Sequence, residues 1–289
     1  MTTAVAGRPH DIQVVRRAPV PSSPRARSTD GRTVYAVGDI HGCYALLTAL
    51  LEAIVADMEG LAGDRPPLLI FCGDYVDRGP RSSDVLTTLV WLSRHAAIEV
   101  AFLRGNHEAM LLDFLDRPDR SLPWLRRDGG PTLRAYGVHA PDSDMDLADV
   151  DCRRLRDELM DRMPASHLDF LRALPIRTTC GDYAFVHAGF RPGVPLARQD
   201  DEDCLWIREE FLEPDHRFEK VVVHGHSWSS DAPEITPNRV GIDTGAYSTG
   251  VLTAVRLEGA GIDFIQARIG AAGPPRSGMF PPGDGPGGL

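Results

Sequence analysis

Short apolar runs alternate with longer amphipathic ones through the middle of the chain, which is the pattern of βαβ units. Residues 33–39 (TVYAVGD) are predicted to form a strand, and 43–58 a helix, because Leu, Ile and Val recur there at intervals of three and four. Residues 68–74 (LLIFCGD) read as a second, buried strand, 82–95 as the helix after it and 99–105 as a third strand. Apolar strands followed by helices imply a parallel arrangement covered on both faces. Residues 107–175 read as helices joined by loops; the acidic stretch over 141–163 is taken as a solvated helix face or loop, not a metal-binding run. From 176 onward the pattern turns to β: IRTTCG, YAFVHAG, KVVVHGH, RVGIDTG, VLTAVRLEG and IDFIQARI, several separated by glycine-containing turns. A second, largely antiparallel sheet is expected.

The ends differ from this core. Residues 1–31 mix Arg, Pro, Ser and Gly with little apolar material, and 271–289 are dominated by Gly and Pro, so both are expected to be disordered tails. They flank one α/β domain over 32–270, with a helical insertion at 113–165. A net charge of -10 argues against capture of nucleic acid or of an anionic membrane. The cysteines, 43, 72, 152, 180 and 204, are odd in number and form no CxxC pair, so reduced thiols are expected. No apolar run approaches the roughly 20 residues needed to span a bilayer, and the N-terminus lacks the apolar core of a secretory signal. The expectation is a soluble cytoplasmic protein whose oligomeric state is open.

Four short segments each put Asp, Asn or His directly after an apolar run. They are Gly38-Asp39-Ile40-His41-Gly42, Gly73-Asp74-Tyr75-Val76-Asp77-Arg78-Gly79, Gly105-Asn106-His107-Glu108 and His187-Ala188-Gly189. In open α/β sheets ligands bind beyond the carboxyl ends of the strands, so these side chains should converge there. Asp39 and His41 are two apart, and an extended chain aims both to one side, giving a carboxylate and an imidazole for one divalent ion. Asp74 has two oxygens with which to bridge two ions. Asn106, His187 and a histidine of Val223-His224-Gly225-His226 supply donors for the second. Mixed nitrogen and oxygen ligands without thiolate suit Mn, Fe or Zn.

Taken together, GDIHG, GDYVDRG, GNHE, HAG and HGH resemble the signature series of the phosphoprotein phosphatase family of calcineurin-like metallophosphoesterases, and within it the bacterial and phage-type serine/threonine phosphatases. The resemblance spans roughly residues 33–257 and implies a four-layer α/β/β/α sandwich of two mixed sheets. It implies Asp39, His41 and Asp74 on a first metal, and Asp74, Asn106, His187 and a histidine of the HGH segment on a second. The family's Gly-His step selects His226, although in a strand His224 faces the same side.

Phosphate monoesters repel nucleophiles through their own charge. Two ions about 3.5–4 Å apart would neutralise that charge and hold a bridging hydroxide in line with phosphorus. Arg78 resembles the family's phosphate-clamping arginine, whose planar fork matches phosphate oxygens. Arg208, in Leu205-Trp206-Ile207-Arg208, resembles a second one. His107, oriented by Asp77, is suited to protonate the leaving group, as the resemblance also implies. Glu108 is read as a helix-start carboxylate.

The expected activity is that of a manganese-dependent serine/threonine or dual-specificity protein phosphatase acting on a phosphorylated protein or peptide. The alternative on the same fold is a symmetrical diadenosine tetraphosphate hydrolase or small-molecule phosphatase. A non-catalytic binding module has no chemical need for the complete set of site residues.

Overall fold

The computed structural model describes residues 12–21, 28–61, 65–140, 150–213 and 216–270. Two mixed sheets lie face to face. The first contains β1 (Ile12–Pro21), β2 (Thr33–Val37), β3 (Leu68–Phe71), β4 (Glu99–Phe102), β10 (Val251–Glu258) and β11 (Gly261–Ile269), in the order β1-β11-β10-β2-β3-β4. The second contains β5 (Arg177–Cys180), β6 (Tyr183–Val186), β7 (Val221–His224), β8 (Glu234–Ile235) and β9 (Arg239–Gly241), in the order β5-β6-β7-β9-β8.

Side-chain alternation along the strands explains the layering. Val34 and Ala36 of β2, with Leu68 and Ile70 of β3, face the second sheet and pack on Phe185, Val223, Val240 and Ile242. Their neighbours Tyr35, Val37, Leu69 and Phe71 point the other way, onto helices α1 (Tyr44–Met58), α2 (Ser82–His95) and α3 (Asn106–Asp116). On the outer face of the second sheet, Ala184, Val186 and Val222 pack against Cys204 and Phe211 of two short helices and Ile207 between them. The layers are therefore helix, sheet, sheet, helix, as the resemblance implied.

β2, β3 and β4 are mutually parallel, and so are β6, β7 and β9. The second sheet is thus parallel at its centre, and antiparallel only at β5 and β8, which corrects the expectation of a largely antiparallel one. The difference lies in β10 and β11, which belong to the first sheet. They look like further members of the second sheet in the sequence, yet β10 crosses back to pair antiparallel with β2. The two-residue β8 is too short to show as an apolar run.

A second correction concerns the N-terminal segment. Ile12–Pro21, expected to lie within a disordered tail, pairs antiparallel with β11 from Ile12 opposite Ile269 to Pro21 opposite Gly261. Charge and proline are usual on edge strands, and Arg16, Arg17, Pro19 and Pro21 interrupt the apolar residues here, which is why this one reads as a solvated leader. Its Arg16 forms an ion pair with Asp57 at the end of α1. Residues 28–31 are also anchored, Ser28 N–H donating to Asp182 at 2.9 Å. The C-terminal tail expected at 271–289 and the first part of the acidic stretch, 141–149, lie outside the described residues. The remainder of that stretch is the helix Cys152–Arg162, capped by Asp151, whose carboxylate accepts from Arg154 N–H. No helix among the described residues is long and apolar enough to cross a membrane.

Candidate active site

The parallel strands of both sheets end at one edge, and their next few residues supply the polar cluster. β2 leads to Asp39 and His41, β3 to Asp74, Asp77 and Arg78, β4 to Asn106 and His107, β6 to His187, β7 to His226 and β9 to Asp243. Apart from Arg78 all of them are buried, with Asp77 and His187 at 0% exposure.

Asp74 is at the centre. Its Oδ1 lies 3.4 Å from His187 Nε2 and its Oδ2 3.4 Å from His41 Nε2, so each oxygen faces a different imidazole. In both rings Nδ1–H donates to a main-chain carbonyl, His41 to Val76 at 2.9 Å and His187 to Cys72 at 3.0 Å. Those bonds fix the tautomer and leave the Nε2 lone pairs aimed at the carboxylate, the arrangement second partners impose on metal-binding histidines. His226 Nδ1 is 3.2 Å from His187 Nε2. Asn106 Oδ1 sits 2.8 Å from the same nitrogen, acceptor against acceptor. Turning the amide over would aim its NH2 at Asp74, His187 and His226 instead, and only the first orientation serves a cation. Asp39 accepts from the His226 main-chain N–H at 3.2 and 3.1 Å.

The electrostatics carry the same message. Burial, then the neighbouring Asp243 and Asp74, hold the Asp39 carboxyl well above its usual range. Burial lifts Asp74 to about 7 and Asp243 to about 6. Burial also depresses His41 and His226, and drops His187 to about 3. Buried carboxylates and neutral imidazoles whose acceptor atoms crowd one space lack positive charge. Divalent ions would supply it, and the all nitrogen and oxygen donor set fits them. Two groups of donors lie within reach of one ion each: His41, Asp74 and His107; and Asp74, His187 and His226.

His107 is common to that geometry and to a separate network. Its Nδ1–H donates to Asp77 Oδ2 at 2.7 Å, and Asp77 also accepts from Trp124 Nε1–H at 2.7 Å and from the Thr132 hydroxyl at 2.6 Å. Burial pulls the His107 imidazole down, but the Asp74 and Asp77 carboxylates outweigh it and raise it to about 9. The short Nδ1–H bond to Oδ2 pairs His107 with Asp77 and turns its Nε2 toward Asp74 and Arg78. Arg78 lies over the Tyr247 ring at 4.5 Å and has its Nε 3.3 Å from Asp128 Oδ1, with a guanidinium nitrogen 3.3 Å from His107 Nε2. Arg208 is exposed; its charge is felt at His187, His226 and Asp243.

The two histidines of the HGH segment separate cleanly. His226 enters the cluster, whereas His224 turns to the outer face of its sheet. There its Nδ1–H donates to Gly225 O at 2.9 Å and its ring packs edge-on against Phe211. Gly225 between them is obligatory, since a Cβ there would lie 2.0 Å from Asp39 Oδ1.

Several site residues escaped the sequence reading. Glu108, read only as a helix-start carboxylate, accepts main-chain N–H groups from Asp74, Tyr75, Val76 and Gly105 at 2.8, 2.7, 3.3 and 2.9 Å. Trp124, Thr132 and Asp128 come from the helical insertion, where no local pattern marks them. Asp243 did carry a signal. It follows the apolar end of β9 and precedes Thr-Gly, the same arrangement that marked the other segments.

Comparison with known proteins agrees with the geometry. A bis(5'-nucleosyl)-tetraphosphatase, symmetrical, from Janthinobacterium sp. (strain Marseille) is 26% identical, covering 78% of this chain and 93% of its own. Serine/threonine-protein phosphatase 1 of Salmonella typhimurium is 28% identical, covering 81% and 96%. The crystal structure of a candidate diadenosine tetraphosphatase shares the fold, with a TM-score of 0.56 and 21% identity over 86% of this chain and all of that one. Residues 32–247 match the family model of the calcineurin-like phosphoesterases. The chain belongs to that family of hydrolases, which work with a pair of divalent metal ions.

Proposed function

We propose that this protein hydrolyses dinucleoside tetraphosphates symmetrically, cutting the central phosphoanhydride to give two nucleoside diphosphates. The protein-phosphatase reading, put first on sequence grounds, becomes the alternative. The observation carrying this order is that relatives named as symmetrical bis(5'-nucleosyl)-tetraphosphatases recur in several different organisms, each aligned with the chain over 92–98% of its own length. The Salmonella phosphatase keeps the alternative open.

In this reading Asp39, His41 and Asp74 hold one ion and Asp74, Asn106, His187 and His226 the other, with manganese the expected metal. Divalent ions held there would supply the charge that offsets the phosphate oxygens and makes a water acidic enough to attack. The side chains do the rest. Arg78, 26% exposed at its side chain, presents its guanidinium to the cleft and grips a phosphate oxygen. Asp128 and Tyr247 keep it from swinging away. His107 gives its Nε2 proton to the phosphate oxygen released as the P–O bond breaks, while Asp77 keeps the ring charged and correctly turned. Arg208 adds positive charge on the His226 side, where the second nucleotide leaves.

The test is a side-by-side rate comparison of the manganese-loaded protein on diadenosine tetraphosphate and on phosphoserine and phosphotyrosine peptides. ADP as sole nucleotide product, at a kcat/KM at least tenfold above either peptide, is expected. A peptide turned over faster would restore the phosphatase reading, and AMP with ATP would exclude symmetrical cleavage.

A further inference from the structure

A cleft of about 430 Å³ opens beside the cluster, between α3, the 117–127 segment and the helix Asp201–Trp206. Its lining includes Met110, one helical turn beyond Asn106 and His107 on α3, which sets the cleft next to the metal-binding edge. One wall is Trp124, whose indole N–H donates to Asp77. Another is Trp206, 36% exposed, with its ring centroid 6.5 Å from that of His226. Arg117, Arg120 and Arg127 line the cleft against two carboxylates, Asp113 and Glu202. Arg117 is paired with Asp113 and Arg127 with Asp128; the exposed Arg120 guanidinium has no partner among the described residues. On a chain of net charge -10 a local excess of arginine is not background.

We propose that this cleft is a nucleotide subsite, in which Trp206 stacks a purine base and Arg120 takes an oxygen of the phosphate chain leading to the metal pair. The inference rests on the dinucleotide reading above and assigns one half of that substrate a place. Volume, chemistry and position each favour it. The space is that of a small-molecule pocket sized for a nucleoside. An exposed indole beside unpaired guanidinium is the pairing that binds a flat aromatic base joined to an anion, because stacking accepts the base face and arginine the phosphate. Trp206 stands 6.5 Å, ring to ring, from His226, so a base stacked on it lies within a short phosphate chain of the donor cluster. A phosphopeptide would use the arginine and leave the indole without a planar partner.

The experiment uses the full chain loaded with manganese and p-nitrophenyl phosphate as reporter substrate. Inhibition constants are measured for ADP and for pyrophosphate, which carries the same phosphoanhydride without a base. The readout is the ratio Ki(ADP)/Ki(pyrophosphate), so a general disturbance of the metal site cancels. Trp206→Ala is expected to raise the ratio about fivefold or more, the low end of what removing one stacking aromatic costs. Trp206→Phe should restore it, and Arg120→Ala should weaken both inhibitors together. A ratio unchanged in Trp206→Ala, or an ADP no tighter than pyrophosphate on the wild type, overturns the subsite. So does a Trp206→Ala defect confined to phosphopeptide hydrolysis. Failure of the dinucleotide reading is separable, because it shows as wild-type protein that leaves diadenosine tetraphosphate intact whatever the ratio does.

Discussion

Glu108 is the residue whose replacement tests the site's construction most directly. Its carboxylate is fully buried and accepts four main-chain N–H groups, three from the loop that carries Asp74 and one from the loop that carries Asn106. In Glu108→Gln one oxygen remains to serve Tyr75 and Val76, while an NH2 meets the N–H groups of Asp74 and Gly105, donor against donor. Two buried donors left without an acceptor cost about 1–3 kcal/mol each. Part of this is offset because a buried carboxylate is itself unfavourable, and burial indeed raises the Glu108 carboxyl. A net loss of about 2–3 kcal/mol follows, which at roughly 2–4 °C per kcal/mol for a domain of this size lowers Tm by about 5–10 °C. The measurement is thermal unfolding followed by circular dichroism in excess chelator, so that bound ions contribute nothing. Asp116→Asn, an exposed carboxylate on the same helix, is the control and should stay within about 1 °C, since an exposed pair of this kind is worth little. With metal restored, the Glu108 variant should also bind manganese about tenfold more weakly, as expected when the support of a ligand is removed. A Glu108→Gln protein melting with the wild type in chelator would refute the claim that this carboxylate ties the two ligand loops together.

The remaining predictions concern the ions and the proton. Adding manganese at 100 times its Kd should stabilise the protein by about 2.7 kcal/mol per site, seen as a rise in Tm of several degrees that chelator reverses; a Tm indifferent to the ion would argue against the cluster as a metal site. His226→Ala should lose one of two bound ions by elemental analysis, whereas His224→Ala should keep both and lose only stability, because it empties the space against Phe211 and Gly241. His107→Asn should retain both ions and slow substrates with poor leaving groups more than p-nitrophenyl phosphate; equal slowing of all substrates would remove its role as acid. Gly225→Ala should abolish activity, since the added methyl meets Asp39, and restored activity would mean that the Asp39 loop is mobile.

Much of this was legible in the chain because the fold places chemistry at strand ends. A buried strand must be apolar, so a sudden Asp, Asn or His beside glycine marks where it leaves the core, and that rule found Asp39, Asp74, Asn106 and His187. It applied equally to Asp243, which went unread because β9 is three residues long and offers little apolar run before it. What local pattern does not encode is tertiary partnership. Trp124 and Thr132 meet Asp77 from 47 and 55 residues away, inside an insertion whose own periodicity is irregular. Sheet membership of β10 was hidden for the same reason, since alternation says that a strand has two faces but not which sheet it joins. The HGH segment shows the limit most sharply. An extended chain would aim His224 and His226 to one side, but His226 has a φ of 61°, and that single left-handed residue swings it into the cluster and away from its neighbour.

The same backbone departure recurs across the site. Among the described residues six non-glycine positions have positive φ, and five of them are His41, Asp74, Asp77, Arg78 and His226. At about 1–2 kcal/mol each, the five together cost roughly 5–10 kcal/mol, comparable with the whole stability of a typical domain. Glycine would remove that cost, but each position must both turn sharply and present a side chain that glycine lacks. The loops are therefore held by bonds outside regular structure. Asp74 O accepts from Ile40 and His41 N–H at 3.0 and 2.8 Å, and Tyr75 O accepts from Gly42 N–H at 2.9 Å. Asp77 N–H donates to Thr132 Oγ1 at 2.8 Å, and Arg78 N–H to Asp128 O at 3.2 Å. Because the Asp39–His41 loop is bonded main chain to main chain with the Asp74 loop, the ligands proposed for the first ion and the carboxylate proposed to bridge both move as one unit. The insertion supplies the bonds that hold Asp77 and Arg78, and the wall of the cleft beside them, so the segment least regular in sequence sets both the posture of Asp77 against His107 and the shape of that cleft.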